Sequence, residues 1–156
     1  RGLDVVEGSA TSLPFEDNSF DVIYSFKVLA HIENISEAMN EVARVLRPDG
    51  VAFLEFYNPR SFRGLIKRLK RPTAVSEQTH DEEVYTRYDT LEEVKSYLPE
   101  TLDVSSIHGV RVFTPAALFH NIPLVGSALR GLEWWSRDQQ FWSKFGGFMV
   151  VRVQHT

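Results

Sequence analysis

The sequence predicts an α/β domain built around an open, mostly parallel sheet. Two strongly apolar runs, 20–26 and 51–57, are rich in β-branched and aromatic residues, which is typical of strands buried on both faces. Between them, residues 34–47 carry apolar side chains at helical spacing. A strand, a helix and a second strand within about 38 residues indicate a βαβ unit, whose two strands run parallel.

The predicted helix has recognisable ends. Asn34 is expected to cap it, and Glu37 at the third helical position would complete a capping box. Arg44 and Arg47 are expected to complement the helix dipole, and Pro48-Asp49-Gly50 to stop the helix and turn the chain. The apolar face consists of Ile35, Ala38, Met39, Val42 and Leu46.

The second half of the chain predicts a more varied set of elements. Polar residues 74–89 are typical of a loop or lid, and Thr90 to Glu93 predicts the start of a second capped helix. The remaining predicted elements are a strand at 102–113, a helix that begins at Thr114-Pro115, is interrupted at Pro123 and resumes over 124–135, and a terminal strand at 148–153.

Composition narrows the class of protein. The 156 residues are enough for one domain, and a net charge of −4 argues against a chain that binds nucleic acid through overall basicity. With no cysteine, disulfides and cysteine-ligated metals are excluded, which fits a reducing compartment. No apolar run reaches the length of a transmembrane helix. We therefore expect a cytoplasmic protein.

A series of short motifs occurs between residues 8 and 50. They are Gly8-Ser9-Ala10, Leu13-Pro14-Phe15, Asp17-Asn18-Ser19-Phe20-Asp21, His31, Glu41-Val42, Arg44-Val45-Leu46, Pro48 and Gly50. Their joint pattern resembles the central motifs of class I S-adenosylmethionine-dependent methyltransferases, in the branch with the signature LPF…FD…RVLkPGG. That branch includes quinone-biosynthesis and natural-product enzymes.

The resemblance implies a Rossmann-like methyltransferase sheet, mostly parallel with an antiparallel C-terminal strand. It implies a single partial methyltransferase domain over 1–156, with a substrate cap or lid at about 60–145. The family begins with a strand, a Gly-rich loop, a helix and a second strand that ends in an acid for the ribose. No G-x-G-x-G occurs here, and those units do not fit before Leu3. We expect part of a longer enzyme that binds cofactor poorly by itself.

The resemblance also implies where the cofactor binds. Ligands of open α/β sheets lie beyond the carboxyl ends of the strands. Ser9 and Ala10 would contact the adenine, and Ser25, at the end of the first predicted strand, the amino-acid part of S-adenosylmethionine. Many relatives carry Asp where this chain has Ser9, so the contact would be weaker. The other residues expected to line the site are Tyr24, Phe26 and His31.

Methyl transfer needs alignment of the acceptor, and a general base only if the acceptor carries a proton to be lost. His31 is a weak candidate for that base; the alternatives are a lining residue or a polar cap on the next helix. Further candidates lie in the predicted loop or lid, although a solvated loop is the simpler interpretation; they are His80, Asp81, Glu82, Tyr85 and Tyr88. Asp21 is expected to bind backbone donors at the start of its strand. No metal-ligand spacing is present.

Partners follow from two biased segments. Residues 60–71 form a basic amphipathic stretch, which we expect to pack its apolar side on the core; peripheral contact with an anionic membrane is the alternative. The aromatic C-terminal region is expected to be mainly core and favours a small, lipophilic acceptor over a protein or a nucleic acid. A different hypothesis is a non-catalytic interaction protein completed by a partner chain. Oligomeric state is left open. The aromatic and apolar residues concerned are Phe113, Leu118, Phe119, Trp134, Trp135, Phe141, Trp142 and Phe145.

Overall fold

A computed structural model describes residues 2, 4–61, 85–110, 125–136, 142 and 145–156. No helix in these ranges is long and apolar enough to cross a membrane. The elements, in chain order, are β1 (Phe20–Ser25), a short 3-10 helix (Leu29–His31), α1 (Ile35–Val45), β2 (Leu46–Tyr57), α2 (Leu91–Tyr97), β3 (Leu102–Val110), α3 (Val125–Ser136) and β4 (Phe148–His155).

The four strands form one sheet in the order β1-β2-β4-β3. β1 pairs parallel with β2, while β4 pairs antiparallel with both β2 and β3. Three strands therefore run in one direction and only the C-terminal strand runs in the other. This confirms the predicted sheet, mostly parallel with an antiparallel last strand.

The hydrophobic core lies between one face of this sheet and the helices α1 and α2. Successive side chains of a strand point to opposite faces, so Leu54 and Phe56 of β2 share the covered face. Both are fully buried, and Leu54 lies opposite Val151 of β4. The helices contribute Ile35, Ala38, Met39, Val42 and Val94 to the same cluster.

β1 corrects one expectation. The apolar run 20–26 was predicted to be a strand buried on both faces, but the strand ends at Ser25 and lies at the edge of the described sheet. Val22 is 55% exposed and Tyr24 is 73% exposed. Apolar composition shows that a face can be buried, but burial also needs an element to cover it. Within the described residues, no strand pairs with the outer edge of β1.

The prediction that Pro48-Asp49-Gly50 forms a turn between α1 and the next strand is wrong. β2 begins directly after α1 and contains these residues in a bulge, because Phe20 pairs with Leu46 whereas Val22 pairs with Val51. Proline is tolerated at such an irregularity, where no ladder hydrogen bond is needed from its nitrogen. A Cβ on Gly50 would lie 3.0 Å from the carbonyl oxygens of Arg47 and Asp21. The bulge therefore needs glycine, because the backbones of β1 and β2 approach closely at this point.

The two predicted capping boxes have different outcomes. Asn34 occupies the N-cap position of α1 but makes no side-chain bond to the backbone, so that capping box is wrong. Its side-chain nitrogen lies 3.5 Å from a carboxyl oxygen of Glu37. At α2 the box is confirmed: the Glu93 amide donates to the Thr90 hydroxyl, and the Glu93 carboxylate accepts from the Thr90 amide.

Arg47 and Asp21 were assigned other roles. α1 ends at Val45, so Arg47 lies in β2, past the last turn of the helix. Its guanidinium donates to Asp21 at 2.6 Å, and among the residues that the structure describes Asp21 accepts no bond from backbone donors at the strand start. The pair links neighbouring parallel strands, which neither sequence position reveals alone.

The remaining elements agree with expectation where the structure describes them. β3, α3 and β4 confirm the two strands and the helix over 124–135. On α3, however, Trp134 is 67% exposed and Trp135 is 53% exposed, so core burial is wrong for both. α2 and β3 lie within 60–145 and belong to the sheet and its helical layer. Outside the described residues are the basic segment from 62 to 71, the helix start at Thr114-Pro115, Phe113, Leu118, Phe119, Phe141, His80 and His120.

Candidate cofactor and acceptor site

The carboxyl ends of the two parallel strands meet at one edge of the sheet. Ser25, the last residue of β1, lies opposite Leu54, and β2 continues to Tyr57. β4 begins opposite Tyr57, at Phe148. Four segments therefore gather here, and we call them the rim: residues 25–31, 55–58, 85–89 and 146–148.

A buried carboxylate fixes the chain just after Ser25. Lys27 has a φ of 62°, the left-handed conformation, which costs a non-glycine residue about 1–2 kcal/mol. Its backbone amide donates to Glu55 at 3.1 Å, and Glu55 is only 7% exposed. This bond holds the turn against its strain, so the end of β1 is set in a defined position.

Ser9 and Ala10 lie in a tight turn. The Ser9 hydroxyl is 2.9 Å from that of Thr11 and also accepts from the Thr11 amide. Ala10 packs against the core cluster. A Cβ on Gly8 would lie 2.7 Å from the Pro14 ring, so glycine is required for this close approach. The turn presents a hydroxyl and backbone groups from a position anchored to the core.

Tyr24 and Phe26 provide exposed aromatic surface. Their rings lie 6.1 Å apart, and Phe26 is 47% exposed. Because they are two residues apart around the end of β1, they continue the open face that also carries Val22. Ser25 lies between them at the rim.

His31 also lies at the rim, in the last turn of the 3-10 helix. Its Nδ1 is 2.8 Å from the carbonyl oxygen of Tyr85, and its ring stands edge-on to Tyr57 with centroids 6.1 Å apart. The Tyr57 ring also contacts those of Tyr88 and Phe148, at 5.8 and 5.2 Å. His31 thus binds a distant segment rather than capping α1, and it joins an aromatic cluster.

Residues 85–89, which we call the strap, bond to the 3-10 helix that follows β1 and to the end of β2. The Arg87 amide donates to Ala30, and the Asp89 amide donates to Tyr57, both at 2.8 Å. Asp89 is 2% exposed and accepts from the Arg87 guanidinium and the Tyr97 hydroxyl. The prediction of a solvated loop is therefore wrong for these residues, although Tyr85 itself is 47% exposed.

Sequence reasoning missed Arg87, Asp89 and Tyr97. The available signal was an arginine and an aspartate two residues apart, directly before a capped helix. Burial disfavours the charged form of Arg87, but the hydrogen bond and charge of Asp89 outweigh this and raise the pKa of Arg87. Burial, followed by the charge of Asp89, raises the pKa of Tyr97. The cation and the phenol both keep their protons at neutral pH.

Several motif residues stabilise the fold and do not lie at the rim. Arg44 donates to the carbonyl oxygens of Leu13 and Phe15 and to the carboxylate of Asp17. Glu41 accepts from Arg44 and from the Leu13 amide, and these bonds lower its pKa from 4.5 to about 2. These bonds join the loop before β1 to α1, so the motif residues of the loop and of the helix form one structural unit.

An open cleft of about 400 Å³ adjoins the rim at the start of α1. It is lined by residues 33–37, Tyr85, Arg87 and Tyr97. In the part of the chain that the structure describes, no three carboxylate or imidazole groups come together as a metal site. The expectation that methyl transfer needs no metal here stays a prediction.

The methyltransferase domain family matches residues 1–54 of the chain. The uncharacterised methyltransferase YcgJ of Bacillus subtilis is 38% identical over 82 residues, 49% of this chain and 32% of that protein. The ubiquinone/menaquinone biosynthesis C-methyltransferase UbiE of Roseobacter denitrificans is 47% identical over 55 residues, 35% of this chain and 22% of that protein. The chain thus spans a third or less of the length of these relatives.

A solved structure shares the fold over nearly the whole chain. It is an S-adenosylmethionine-dependent methyltransferase of Thermotoga maritima, with a TM-score of 0.68 at 18% identity, covering 99% of this chain and 65% of that one. The matched sequence lies in the segment that carries β1, α1 and most of β2, while the fold match extends through β3 and β4. The sequence match over residues 1–54 supports the class I S-adenosylmethionine-dependent methyltransferase family that the motifs indicate, and the structural likeness shows that the chain shares the fold of such an enzyme.

Proposed function

We propose that the chain is part of an enzyme that transfers a methyl group from S-adenosylmethionine to a small, lipophilic acceptor. The observation that carries the proposal is the rim, where Ser25 and His31 lie at the carboxyl ends of two parallel strands. The name of UbiE, a ubiquinone/menaquinone C-methyltransferase, supports a lipophilic acceptor. The exposed Tyr24 and Phe26 add apolar surface near the same edge.

The residues present fit one side of the cofactor. The hydroxyls of Ser9 and Ser25 and nearby backbone groups suit the polar edge of an adenine and an amino-acid moiety, and Ala10 follows Ser9 in the same turn. Tyr24 and Phe26 offer ring surface, and His31 lines the acceptor side. The 156 residues contain no G-x-G-x-G loop, so the donor set is incomplete. When bound, the cofactor supplies an activated sulfonium methyl group, and these residues orient the partners and exclude water.

The open edge of β1 supports the proposal that the described sheet is part of a larger one. A parallel edge strand with exposed Val22 and Tyr24 is suited to accept a further strand and a covering helix. We infer that the competent enzyme has such elements against β1. A cytoplasmic location belongs to the same proposal and is supported by the absence of cysteine.

Isothermal titration with S-adenosylmethionine tests the proposal. A longer form that includes the upstream coding sequence should bind the cofactor, and the 156-residue chain should bind it at least tenfold more weakly. Ser25→Trp should abolish binding by filling the rim. Ser96→Trp, at an exposed position of α2, is the matched control and should bind normally. No heat from the longer form, or normal binding by Ser25→Trp, would contradict the proposal.

The acceptor is tested separately. The longer form is incubated with methyl-labelled cofactor and a quinol, a sterol or a hydrophilic amine. Label in one of the lipophilic acceptors is expected, since the surface around Tyr24 and Phe26 is apolar. Label in the hydrophilic amine alone would overturn the acceptor class.

The open edge of β1 favours one alternative function, a non-catalytic interaction protein whose sheet is completed by a partner chain. The upstream coding sequence separates the two. A strand followed by G-x-G-x-G favours the enzyme, because that loop cradles the cofactor. A start codon directly before Arg1 favours the interaction protein.

A further inference from the structure

The hydrogen bond of His31 defines which of its ring nitrogens carries the proton. Nδ1 lies 2.8 Å from the backbone carbonyl oxygen of Tyr85, which can only accept. Nδ1 must therefore be the donor. A neutral imidazole has a single N–H, so Nε2 then holds a lone pair. The Thr86 hydroxyl, 3.4 Å from Nδ1, lies on the same side of the ring.

The other nitrogen is available at the rim. Within the described ranges, Nε2 of His31 has no hydrogen-bond partner, and the side chain is exposed. The ring is oriented by its edge-on contact with Tyr57. His31 thus carries an unbonded acceptor atom in a ring that contacts Tyr57, the last residue of β2.

The carbonyl that orients His31 is fixed by its own segment. Arg87 donates from its amide to Ala30 and from its guanidinium to Ile32, at 2.8 and 3.4 Å. Ala30 and Ile32 are the two neighbours of His31 in sequence. The strap is therefore bonded to the residues on both sides of His31.

Asp89 keeps Arg87 in place. The Arg87 and Asp89 side chains are 13% and 3% exposed, and the guanidinium contacts the carboxylate through Nε and a terminal nitrogen at 3.0 and 2.9 Å. The Tyr97 ring lies 4.6 Å from the guanidinium, and its hydroxyl donates to Asp89 at 3.1 Å. Removal of one partner would leave a buried charge unpaired, which is strongly unfavourable.

We propose that the strap holds His31 in the Nδ1–H tautomer, so that Nε2 accepts a hydrogen bond from an O–H or N–H group of the methyl acceptor. The inference rests on the proposed function and narrows it to acceptors that carry such a group. Arg87 and Asp89 are positioning residues, because they act through His31 and do not touch the acceptor.

Nitrogen-15 NMR of the histidine-labelled chain tests the tautomer without any activity. The His31 signals are assigned by their loss in His31→Gln. Wild type should show a protonated Nδ1 and an unprotonated Nε2 at a pH where the ring is neutral. Asp89→Asn, which releases the guanidinium, should give a mixture of both tautomers.

Tyr97→Phe is the matched control, since it removes the hydroxyl from Asp89 but keeps the ring beside Arg87; it should retain the wild-type tautomer. If Asp89→Asn loses its circular dichroism signal, Arg87→Lys replaces it, because lysine keeps the charge and loses the two-nitrogen contact. A protonated Nε2 in wild type, or an unchanged tautomer in the folded positioning variant, overturns the proposal.

Kinetics of the longer form provide the second readout. Asp89→Asn should lower kcat/KM about tenfold for hydroxyl- or amine-bearing acceptors, the effect of one hydrogen bond. Its affinity for S-adenosylmethionine in titration should change less than twofold. Equal kcat/KM for wild type and variant would overturn the inference while cofactor binding upholds the proposed function. Absence of cofactor binding by wild type would instead overturn the proposed function.

Discussion

The one-sided burial of the sheet predicts that two valines respond differently to the same truncation. Val151 lies in β4, is fully buried and is opposite Leu54 and Ile107 in the two neighbouring strands. Val22 lies in the edge strand β1 and is 55% exposed. Valine to alanine removes the same two methyl groups at each site, so only the surroundings differ.

The magnitudes follow from that difference. At Val151, the loss of two buried methyl groups removes about 1.6 kcal/mol of free energy of transfer from water to the core. A residual cavity on the order of 50 Å³ adds at most about 1 kcal/mol. We expect Val151→Ala to lower the free energy of unfolding by about 2–3 kcal/mol. At Val22 less than half of the transfer term applies and no closed cavity forms, so we expect about 0.7 kcal/mol.

Urea unfolding of the 156-residue chain, followed by far-ultraviolet circular dichroism, measures both losses. The dependence of the free energy on urea should be unchanged, which shows that the variants unfold from the same compact state. Losses equal within about 0.5 kcal/mol would refute the one-sided sheet. In the longer protein, the loss at Val22 should rise toward that at Val151 if further elements cover β1.

Three other substitutions test local features. Glu41 has a folded-state pKa of about 2 against an ordinary 4.5, so its stabilising effect is complete above pH 4.5 and is lost as the pH falls toward 2. The difference in unfolding free energy between wild type and Glu41→Gln should therefore become smaller between pH 4.5 and pH 2. A constant difference over that interval would contradict this assignment. Thr90→Ala should cost about 1 kcal/mol in urea unfolding by removing the cap of α2, whereas Thr90→Ser should cost little. Gly50→Ala should cost about 1–3 kcal/mol, because the new Cβ meets backbone oxygens at 3.0 Å; no measurable loss would argue against the bulge.

Much of the fold could be predicted because its signals are local. The apolar spacing of α1 and the capping box at Thr90 depend on residues within one or two helical turns. The strand direction followed from the short βαβ connection. Family motifs supplied the antiparallel last strand, which local pattern alone does not indicate.

The candidate site was predictable only in part. The position of Ser25 at a strand end follows from the apolar run before it, and β1 does end there. The environment of His31 could not be predicted, since its partner, Tyr85, lies 54 residues away. The Arg47–Asp21 pair joins residues 26 apart for the same reason: a helix brings the next strand back beside β1.

The sequence by itself determined which segments form helices and strands and which side chains can share a buried face, because periodicity acts over a few residues. Only the tertiary structure decided that β1 lies at an open edge, that Pro48-Asp49-Gly50 forms a bulge, and that the strap orients His31. These depend on which distant segments meet. A hydrogen bond or a covered face requires a partner whose position is set by the path of the whole chain.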